Sequence, residues 1–398
     1  MEDTLQNYAK KIEHDYCLMT DKNGVLQPYD IGQQMLLSWD YLHTHSRLRE
    51  DAEPFKAYIK RRLTVCANSI FSPSKSKYVS FNQTQYLNTF KTYTPKTENN
   101  ECKPFHELMS RMFPVDSERK TVTQFIAHAL RHPEQRPTYG LLLTGTTSTG
   151  KGTLYQSVLA PLLANQVASA RSFEQVLGKH TELLNGTLLV VLDDIKSGNA
   201  NTYIKLKSVM TEPTILINPK YLLEKTVKVY SRIIFNSNEK LPLPIAEDDR
   251  RWFATQPMQH SVSKQETTQF IKTFKEWVNN ESNLDAIFNY LMSVDLADFN
   301  AYQCEQTPTL LSMMEQSTPS LELVLQDFID NGNQLFKRDE LTAYLNKQRV
   351  FPADAALNEA LIKMDYIKQR ILGNTHSVYM PSNYNKKTIT QWPLPVSF

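Results

Sequence analysis

The sequence predicts an α/β fold with a parallel sheet, preceded by a mostly helical domain and followed by a winged-helix-like domain. Two apolar runs without polar alternation, at residues 139–143 and 188–192, are typical of strands buried on both faces of a parallel sheet. A glycine-containing loop follows the first run, and apolar residues at helical spacing follow the loop. The predicted domain boundaries are residues 1–100, 101–305 and 320–398.

The first hundred residues carry few signals. Apolar residues at three- and four-residue spacing predict helices over Ile31–Leu42 and Pro54–Cys66, and Tyr78–Phe81 predicts a short strand. Basic residues outnumber acids between Arg47 and Lys77, which fits either a solvated helix face or a DNA-contacting surface. The polar, breaker-rich stretch Thr94–Glu101 predicts a domain boundary.

Two predicted helices between residues 104 and 137 lead into the glycine-containing loop, Gly145–Lys151. A strand, the pattern GxxxxGK and a helix, in this order, predict a P-loop, whose backbone amides surround a phosphate and whose lysine reaches the β- and γ-phosphates. The next residue is Gly152, where the pattern has a Ser or Thr that binds Mg²⁺. The candidates for binding Mg²⁺ are then Thr153, a water molecule and acidic residues later in the chain. The predicted ATP-binding residues are Gly145, Thr146, Thr147, Ser148, Thr149, Gly150, Lys151, Gly152, Thr153 and Leu154.

Two carboxylates, Asp193 and Asp194, end the second apolar run. Because ligands of open α/β sheets bind at the carboxyl ends of strands, both are candidate site residues. Asp193 is expected to hold Mg²⁺ directly or through water, and Asp194 to polarise the attacking water. A third apolar strand begins at Arg232 and ends at Asn238, whose amide can bond to the γ-phosphate or to that water.

A β-hairpin or a strand–loop–strand is predicted between these two strands, from Thr214–Ile217 and Thr226–Tyr230. Its tip would present Lys220, Tyr221 and Lys225. A cation beside an aromatic ring can grip a phosphate and stack on a base, as in proteins that bind single-stranded DNA. An ordinary exposed hairpin is the alternative.

Tandem arginines, Arg250 and Arg251, stand between acidic residues and Trp252-Phe253. They fit either an ion-paired surface or an arginine finger that acts on the γ-phosphate of a neighbouring subunit.

The C-terminal third begins with helical patterns over Lys264–Asn300, followed by a predicted linker, Thr307–Pro319. Three short helices and a hairpin turned at Gly373-Asn374 then give the winged-helix order. The basic excess from Phe336 onward fits phosphate contact, and docking of another protein fits the same fold.

The composition limits the classes of protein to which the chain can belong. A chain of 398 residues with 41% apolar and 22% charged residues is typical of a soluble globular protein, and a net charge of +2 leaves nucleic-acid binding to local patches. Four cysteines without paired spacing indicate reduced thiols rather than a zinc site or a disulfide framework. The sequence shows neither a membrane-length apolar run nor a signal peptide, so the expected location is the cytoplasm.

Taken together, the motifs resemble those of superfamily 3 helicases within the AAA+ class, and especially the helicase half of phage and plasmid primase–helicases. The segment GTTSTGKGT resembles the Walker A motif, and LLVVLDDI resembles the Walker B motif. The segment IIFNSNE, which contains Asn238, resembles motif C, also called sensor 1. The Lys220/Tyr221 hairpin resembles the B′ element, and DDRRWF the finger segment, with Arg251 favoured over Arg250. The segment FNQTQYLNTF resembles the one that precedes the ATPase in those proteins, so the likeness covers residues 80–255.

This resemblance implies a homo-hexameric ring that uses ATP and Mg²⁺ to translocate 3′→5′ on single-stranded DNA during replication of a phage or related mobile element. ATP would lie between subunits, with Lys151, Asp193, Asp194 and Asn238 from one and Arg251 from the next. Origin duplex DNA and a host or phage primase or polymerase are further expected partners. The sequence departs from the family at two positions. Gly152 replaces the usual metal-binding hydroxyl, and Asp194 stands where Glu is frequent. Alternatives are an AAA+ initiator or helicase loader that does not unwind DNA, and a nucleotide-dependent switch or defence ATPase.

Overall fold

The computed structural model describes residues 2–48, 51–178, 182–195, 198, 200–217, 225–246, 249–317, 321–332, 334–348, 350–371 and 376–383. The chain divides into two compact units, Met1–Thr94 and Pro95–Phe398. Within the described residues, no helix has the length and apolar character needed to cross a membrane.

The first unit is a mixture of helices and small sheets. Its elements are α1 (Glu2–Ile12), β1 (Tyr16–Thr20), β2 (Leu26–Asp30), β3 (Met35–Leu36), α2 (Trp39–Ser46), α3 (Ala52–Arg62), β4 (Ser69–Ile70), β5 (Tyr78–Phe81) and β6 (Thr84–Asn88). β1, β2 and β3 form an antiparallel sheet, and β4, β6 and β5 form a second sheet. The unit has cores of its own, among them a cluster around Leu18, Phe55 and Ile59. The expectation of a mostly helical domain is therefore wrong.

The predicted helix over Ile31–Leu42 is wrong in its first half. Tyr29 pairs with Leu36, so the chain first makes a hairpin strand, and the helix begins only at Trp39. Ser38 sets that start, because its side chain accepts a hydrogen bond from the Tyr41 amide (3.0 Å). The predicted strand Tyr78–Phe81 is confirmed as β5.

The second unit is built on a five-stranded parallel sheet with helices before, between and after its strands. Up to the last strand its elements are α4 (Lys103–Met112), α5 (Asp116–Arg131), β7 (Gly140–Thr144), α6 (Lys151–Thr153), a π-helical segment (Leu154–Leu159), α7 (Ala160–Leu162), β8 (Val167–Ala170), α8 (Phe173–Leu177), β9 (Leu189–Asp193), α9 (Ala200–Thr211), β10 (Thr214–Ile217), β11 (Lys225–Lys228), β12 (Arg232–Ser237) and β13 (Trp252–Ala254). The strand order is β13-β7-β12-β9-β8. Every residue of β7 and β12 is buried, which explains the apolar residues Leu141–Leu143 and Ile233–Phe235 at their centres.

Three of the five strands, β7, β9 and β12, follow the predicted apolar runs. β8 and β13 are too short and too mixed in composition to stand out in the sequence. β10 and β11 form a separate antiparallel pair, which confirms the predicted hairpin strands.

The remaining elements are α10 (Lys264–Val278), α11 (Glu281–Ser293), α12 (Pro308–Gln316), α13 (Leu321–Asp330), α14 (Arg338–Lys347), α15 (Asp354–Lys363), β14 (Tyr366–Ile371) and β15 (His376–Pro381). α13–α15 and the antiparallel pair β14–β15 have the predicted order, and they share a core that includes Leu325, Phe336 and Leu361. The predicted turn at Gly373-Asn374 lies outside the described residues. Assignment to the winged-helix class remains a prediction.

The predicted linker Thr307–Pro319 is wrong, because most of it is the helix α12. Thr307 caps this helix by accepting a hydrogen bond from the Leu310 amide (3.1 Å), and Pro308 occupies its first turn. Leu310, Met313 and Met314 then pack into the core of the parallel sheet. The short apolar pattern is thus the buried face of a helix rather than a connection between domains.

Candidate active site

The candidate site lies at the carboxyl edge of the parallel sheet, where β7, β9 and β12 end. β12 runs between the other two strands, with Ser237 opposite Thr144 and Asn236 opposite Asp193. Because all three strands are parallel, the residues that follow them emerge side by side. The loop after β7, Asn238 and Asp194 therefore meet at one place.

The loop conformation depends on two glycines with positive φ. Gly145 has φ +133° and Gly150 has φ +110°, angles that other residues adopt only with strain. A Cβ atom on Gly145 would lie 2.3 Å from the carbonyl oxygen of Met258, and one on Gly150 would lie 3.1 Å from Met112 Sδ. The Thr146 amide also donates to the Met258 carbonyl oxygen (2.9 Å). The segment after β13 and helix α4 therefore hold the loop closely from two sides.

The other predicted ATP-binding residues divide into exposed and buried ones. Residues 146–148 are exposed, whereas Thr149 is buried and its hydroxyl donates to the Thr146 carbonyl oxygen (3.1 Å). Thr153, the predicted metal ligand, is only 5% exposed. Leu154 is also buried, and its amide already donates to the Gly150 carbonyl oxygen (2.9 Å).

The Lys151 ammonium group lies among oxygen acceptors from the ends of two strands. Its Nζ donates to the carbonyl oxygen of Gly145 (2.7 Å), to that of Ser237 (3.3 Å) and to Asn238 Oδ1 (3.0 Å). Burial lowers the pKa of Lys151 to about 8, and the negative charges of Asp193 and Asp194 only partly oppose that shift. The lysine is thus a cation whose charge depends on pH near neutrality.

Asn238 connects the lysine to the second carboxylate. While its Oδ1 accepts from Lys151, its Nδ2 donates to Asp194 Oδ1 (2.8 Å). Asp194 is exposed and has φ +54°, and its amide donates to the Asn236 carbonyl oxygen (3.1 Å). An ammonium, an amide and an exposed carboxylate therefore form one hydrogen-bonded chain across the sheet edge.

Asp193 is held by two residues that the sequence analysis did not single out. Asn236 Nδ2 donates to its Oδ1 (3.2 Å), and the Tyr155 hydroxyl donates to its Oδ2 (3.3 Å). Gln156 Nε2 in turn donates to the Tyr155 hydroxyl (2.7 Å). Asn236 could have been noticed as a polar residue within an apolar strand, but the contact of Tyr155 has no local sequence signal.

The two arginines lie at the opposite end of the sheet, where its strands begin. The Arg251 carbonyl oxygen accepts from the amide of Gly140, the first residue of β7, whereas the loop follows the last residue of that strand. Arg251 Nη1 lies 3.7 Å from the buried Asp249 carboxylate, and 30% of its side chain is exposed. Arg250 is exposed. Neither arginine lies at the glycine-containing loop of the same chain.

The predicted DNA-binding residues are only partly described. Lys220 and Tyr221 lie outside the described residues, and Lys225 is the first residue of β11. Among the described residues, no group of three or more His, Cys, Asp or Glu side chains is arranged to hold a metal ion.

The chain matches a protein-family model and a phage protein of known name. Residues 143–251 match a family of unknown function, DUF5906, over less than a third of the chain. This range includes the loop, both carboxylates, Asn238 and both arginines. The chain is 24% identical over 279 residues to a protein named DNA Primase-polymerase, from Nitratiruptor phage NrS-1. The match covers 66% of this chain but only 38% of the relative, so the chain spans well under half of that protein's length.

Solved structures support the same relationship at the level of fold. An apo structure of the C-terminal region of NrS-1 matches 95% of this chain and 99% of its own, with a TM-score of 0.60 and 15% identity. A second apo form of that region matches with a TM-score of 0.59 and 14% identity. At this identity the likeness shows the fold alone.

Proposed function

We propose that the protein is an ATP-dependent DNA helicase that works in replication of a phage or related mobile element. The hydrogen-bonded chain from Lys151 through Asn238 to Asp194 carries this proposal. Such a chain places a phosphate-binding cation and a candidate base for water at the two ends of one amide. It therefore supports nucleotide hydrolysis at this edge of the sheet.

The residues at the site fit ATP with Mg²⁺. Gly145 and Gly150 allow the loop its positive φ angles, so that its backbone amides can surround a phosphate, and Lys151 supplies the cation for the β- and γ-phosphates. Asp193 is the proposed metal ligand. Mg²⁺ is commonly held by one or two carboxylates together with substrate phosphates, so a site without a third acidic ligand fits this ion. When bound, the metal would neutralise charge on the transferred phosphoryl group.

The protein's own groups then have separate tasks. Lys151 binds the phosphates, and Asp194 orients the attacking water and accepts its proton. Asn238 contacts both groups, so loss of the γ-phosphate would change its hydrogen bonds and link hydrolysis to movement of β12. This link is what a motor needs.

The position of the arginines favours action between subunits. β7 separates them from the loop of their own chain by about 16 Å, at 3.3 Å per residue. An arginine finger at this position would therefore act on the nucleotide of a neighbouring copy, as in a ring of six subunits, whereas an ion-paired surface would need no neighbour. Arg250 is the better candidate, because it is exposed whereas Arg251 lies beside Asp249.

The relative supports DNA as the polymer on which the protein acts. It is a phage DNA primase-polymerase by name, which fits single-stranded DNA and origin duplex as ligands and a primase or polymerase as partner. Lys220 and Tyr221, which lie in the sequence between β10 and β11, are proposed to contact the DNA strand.

Strand displacement from a forked DNA tests the proposal. The wild type should release the strand in the presence of ATP, and Lys151→Ala should lose both hydrolysis and release. Lys220→Ala should still hydrolyse ATP but lose most of the release, because it removes only the proposed DNA contact.

Other results would point to other functions. Hydrolysis without strand release by the wild type would favour an initiator or loader, and hydrolysis insensitive to DNA would favour a switch. The name of the relative favours a second candidate, nucleotide polymerisation. Labelled primer products on a single-stranded template, formed equally well by Lys151→Ala, would support it against the helicase.

A further inference from the structure

Gly152 leaves open space at the position where a P-loop usually carries its metal-binding hydroxyl. An added Cβ atom at Gly152 would meet no other atom of the described residues within 4 Å, apart from its immediate chain neighbours and the backbone of its own helix. The next hydroxyl along the chain, that of Thr153, belongs to a side chain that is 5% exposed. The loop therefore offers no exposed hydroxyl directly after Lys151.

A different hydroxyl reaches the metal side of the site. Tyr155 is 9% exposed, and its hydroxyl donates to Asp193 Oδ2 (3.3 Å) while it accepts from Gln156 Nε2 (2.7 Å). Asn236 holds the other carboxylate oxygen (3.2 Å). Both oxygens of Asp193 are thus bonded, and the carboxylate has little freedom to rotate.

The helix is locally distorted at this tyrosine. Leu154–Leu159 is π-helical, and the Ala160 amide donates to the Tyr155 carbonyl oxygen, five residues back. Such single π turns are rare and occur frequently at functional sites. The wider turn changes the direction of the side chains relative to a regular α-helix, and Tyr155, whose carbonyl oxygen accepts this bond, is also the residue that contacts Asp193 of β9.

We propose that Tyr155 is a positioning residue that fixes the Asp193 carboxylate for Mg²⁺, so that the site works without a hydroxyl at position 152. This inference rests on the proposed nucleotide site. Residues that orient a metal ligand commonly change metal affinity by 10- to 100-fold when they are replaced.

The test is the Mg²⁺ dependence of binding of a fluorescent, non-hydrolysable ATP analogue. Tyr155→Phe removes only the hydroxyl, and we expect the Mg²⁺ concentration for half-maximal tight binding to rise about tenfold. Binding in excess EDTA should stay unchanged, which also shows that the variant is folded. An unchanged Mg²⁺ requirement, or equal weakening with and without Mg²⁺, would overturn the inference.

Position 152 provides a matched pair of second-site variants. Gly152→Ser places a hydroxyl in the open space and should restore the Mg²⁺ requirement of Tyr155→Phe toward the wild-type value. Gly152→Ala fills the same space without a hydroxyl and should restore nothing. If Gly152→Ser does not restore the Mg²⁺ requirement of Tyr155→Phe, or if Gly152→Ala restores it equally well, the hydroxyl of Tyr155 does not replace one at position 152. If the wild type binds no nucleotide, the proposed function itself fails, and that result is distinct from all of these.

Discussion

Asn238 is the residue on which the candidate site depends most. Its side-chain oxygen faces Lys151 and its nitrogen faces Asp194, so one amide is bonded to a cation and to an anion at the same time. An aspartate or a leucine there could satisfy only one partner or neither. The choice of an amide at this position therefore has a direct physical reason.

Lys151 gives a prediction at the residue scale, because its pKa is lowered to about 8 by burial. Phosphate binding favours the protonated amine, so nucleotide affinity should be constant below this pKa and fall above it. The expected loss is up to about tenfold per pH unit from about pH 8 to about pH 9.5. Titration with the fluorescent analogue at each pH measures it.

The control for this prediction is Lys151→Arg, whose guanidinium stays charged over the whole range. Whatever affinity it retains should not decline between the same two pH values. A decline as steep as that of the wild type would show that another group is responsible.

At the scale of elements, hydrogen bonds and packing override local pattern in two places. The spacing over Ile31–Leu42 is compatible with a helix, yet pairing of β2 with β3 determines the first half of this segment. The polar ends of residues 307–319 suggest a connection, yet α12 buries Leu310, Met313 and Met314. The first outcome depends on a hairpin between neighbouring segments of the chain, and the second on contacts distant in sequence.

Two adjacent leucines of α12 test its role. Leu310 is fully buried in the sheet core, whereas Leu311 is 44% exposed. Leu310→Ala should lower the free energy of unfolding by about 2–5 kcal/mol, because it removes buried methyl groups and leaves a cavity. Leu311→Ala should change it by less than about 1 kcal/mol. Urea unfolding followed by tryptophan fluorescence compares them, and equal values would show that α12 does not pack as described.

At the scale of the whole molecule, the parallel sheet separates two sets of functional candidates. The glycine-containing loop and the two carboxylates lie where its strands end, and the arginines lie where its strands begin. A complete site built from both edges requires two copies of the chain. This separation supports action between copies of the chain, whereas the number six comes from the resemblance to superfamily 3 helicases.

Mixing of inactive variants tests that requirement. Lys151→Ala retains Arg250 but lacks the proposed phosphate-binding cation, and Arg250→Ala has the reverse defect. Each alone should have little ATPase activity, and an equimolar mixture should recover part of it, because some neighbours combine an intact loop with an intact arginine. The ATPase rate as a function of mixing ratio measures this.

Arg251→Ala is the matched comparison for the mixing experiment. Its guanidinium lies near Asp249, so its loss should affect stability more than complementation. If ATPase activity recovers in mixtures of Lys151→Ala with Arg251→Ala but not with Arg250→Ala, Arg251 is the arginine finger. Linear mixing curves for both would exclude a finger acting between subunits.

The sequence by itself determined the local features of the site. A loop that needs positive φ at Gly145 and Gly150, and strands buried on both faces, leave direct marks in composition and periodicity, because each depends on a residue's own backbone or on its immediate surroundings. The same holds for the carboxylates and the amide, which mark the ends of those strands.

Only the tertiary structure decided which of these features meet. The position of β12 between β7 and β9 brings Asn238 between Lys151 and Asp194, and strand order has no local sequence signal. The contact of Tyr155 with Asp193 spans 38 residues, and the packing of α12 joins even more distant segments. Contacts of this kind arise when separate elements pack together, so periodicity along the chain cannot predict them.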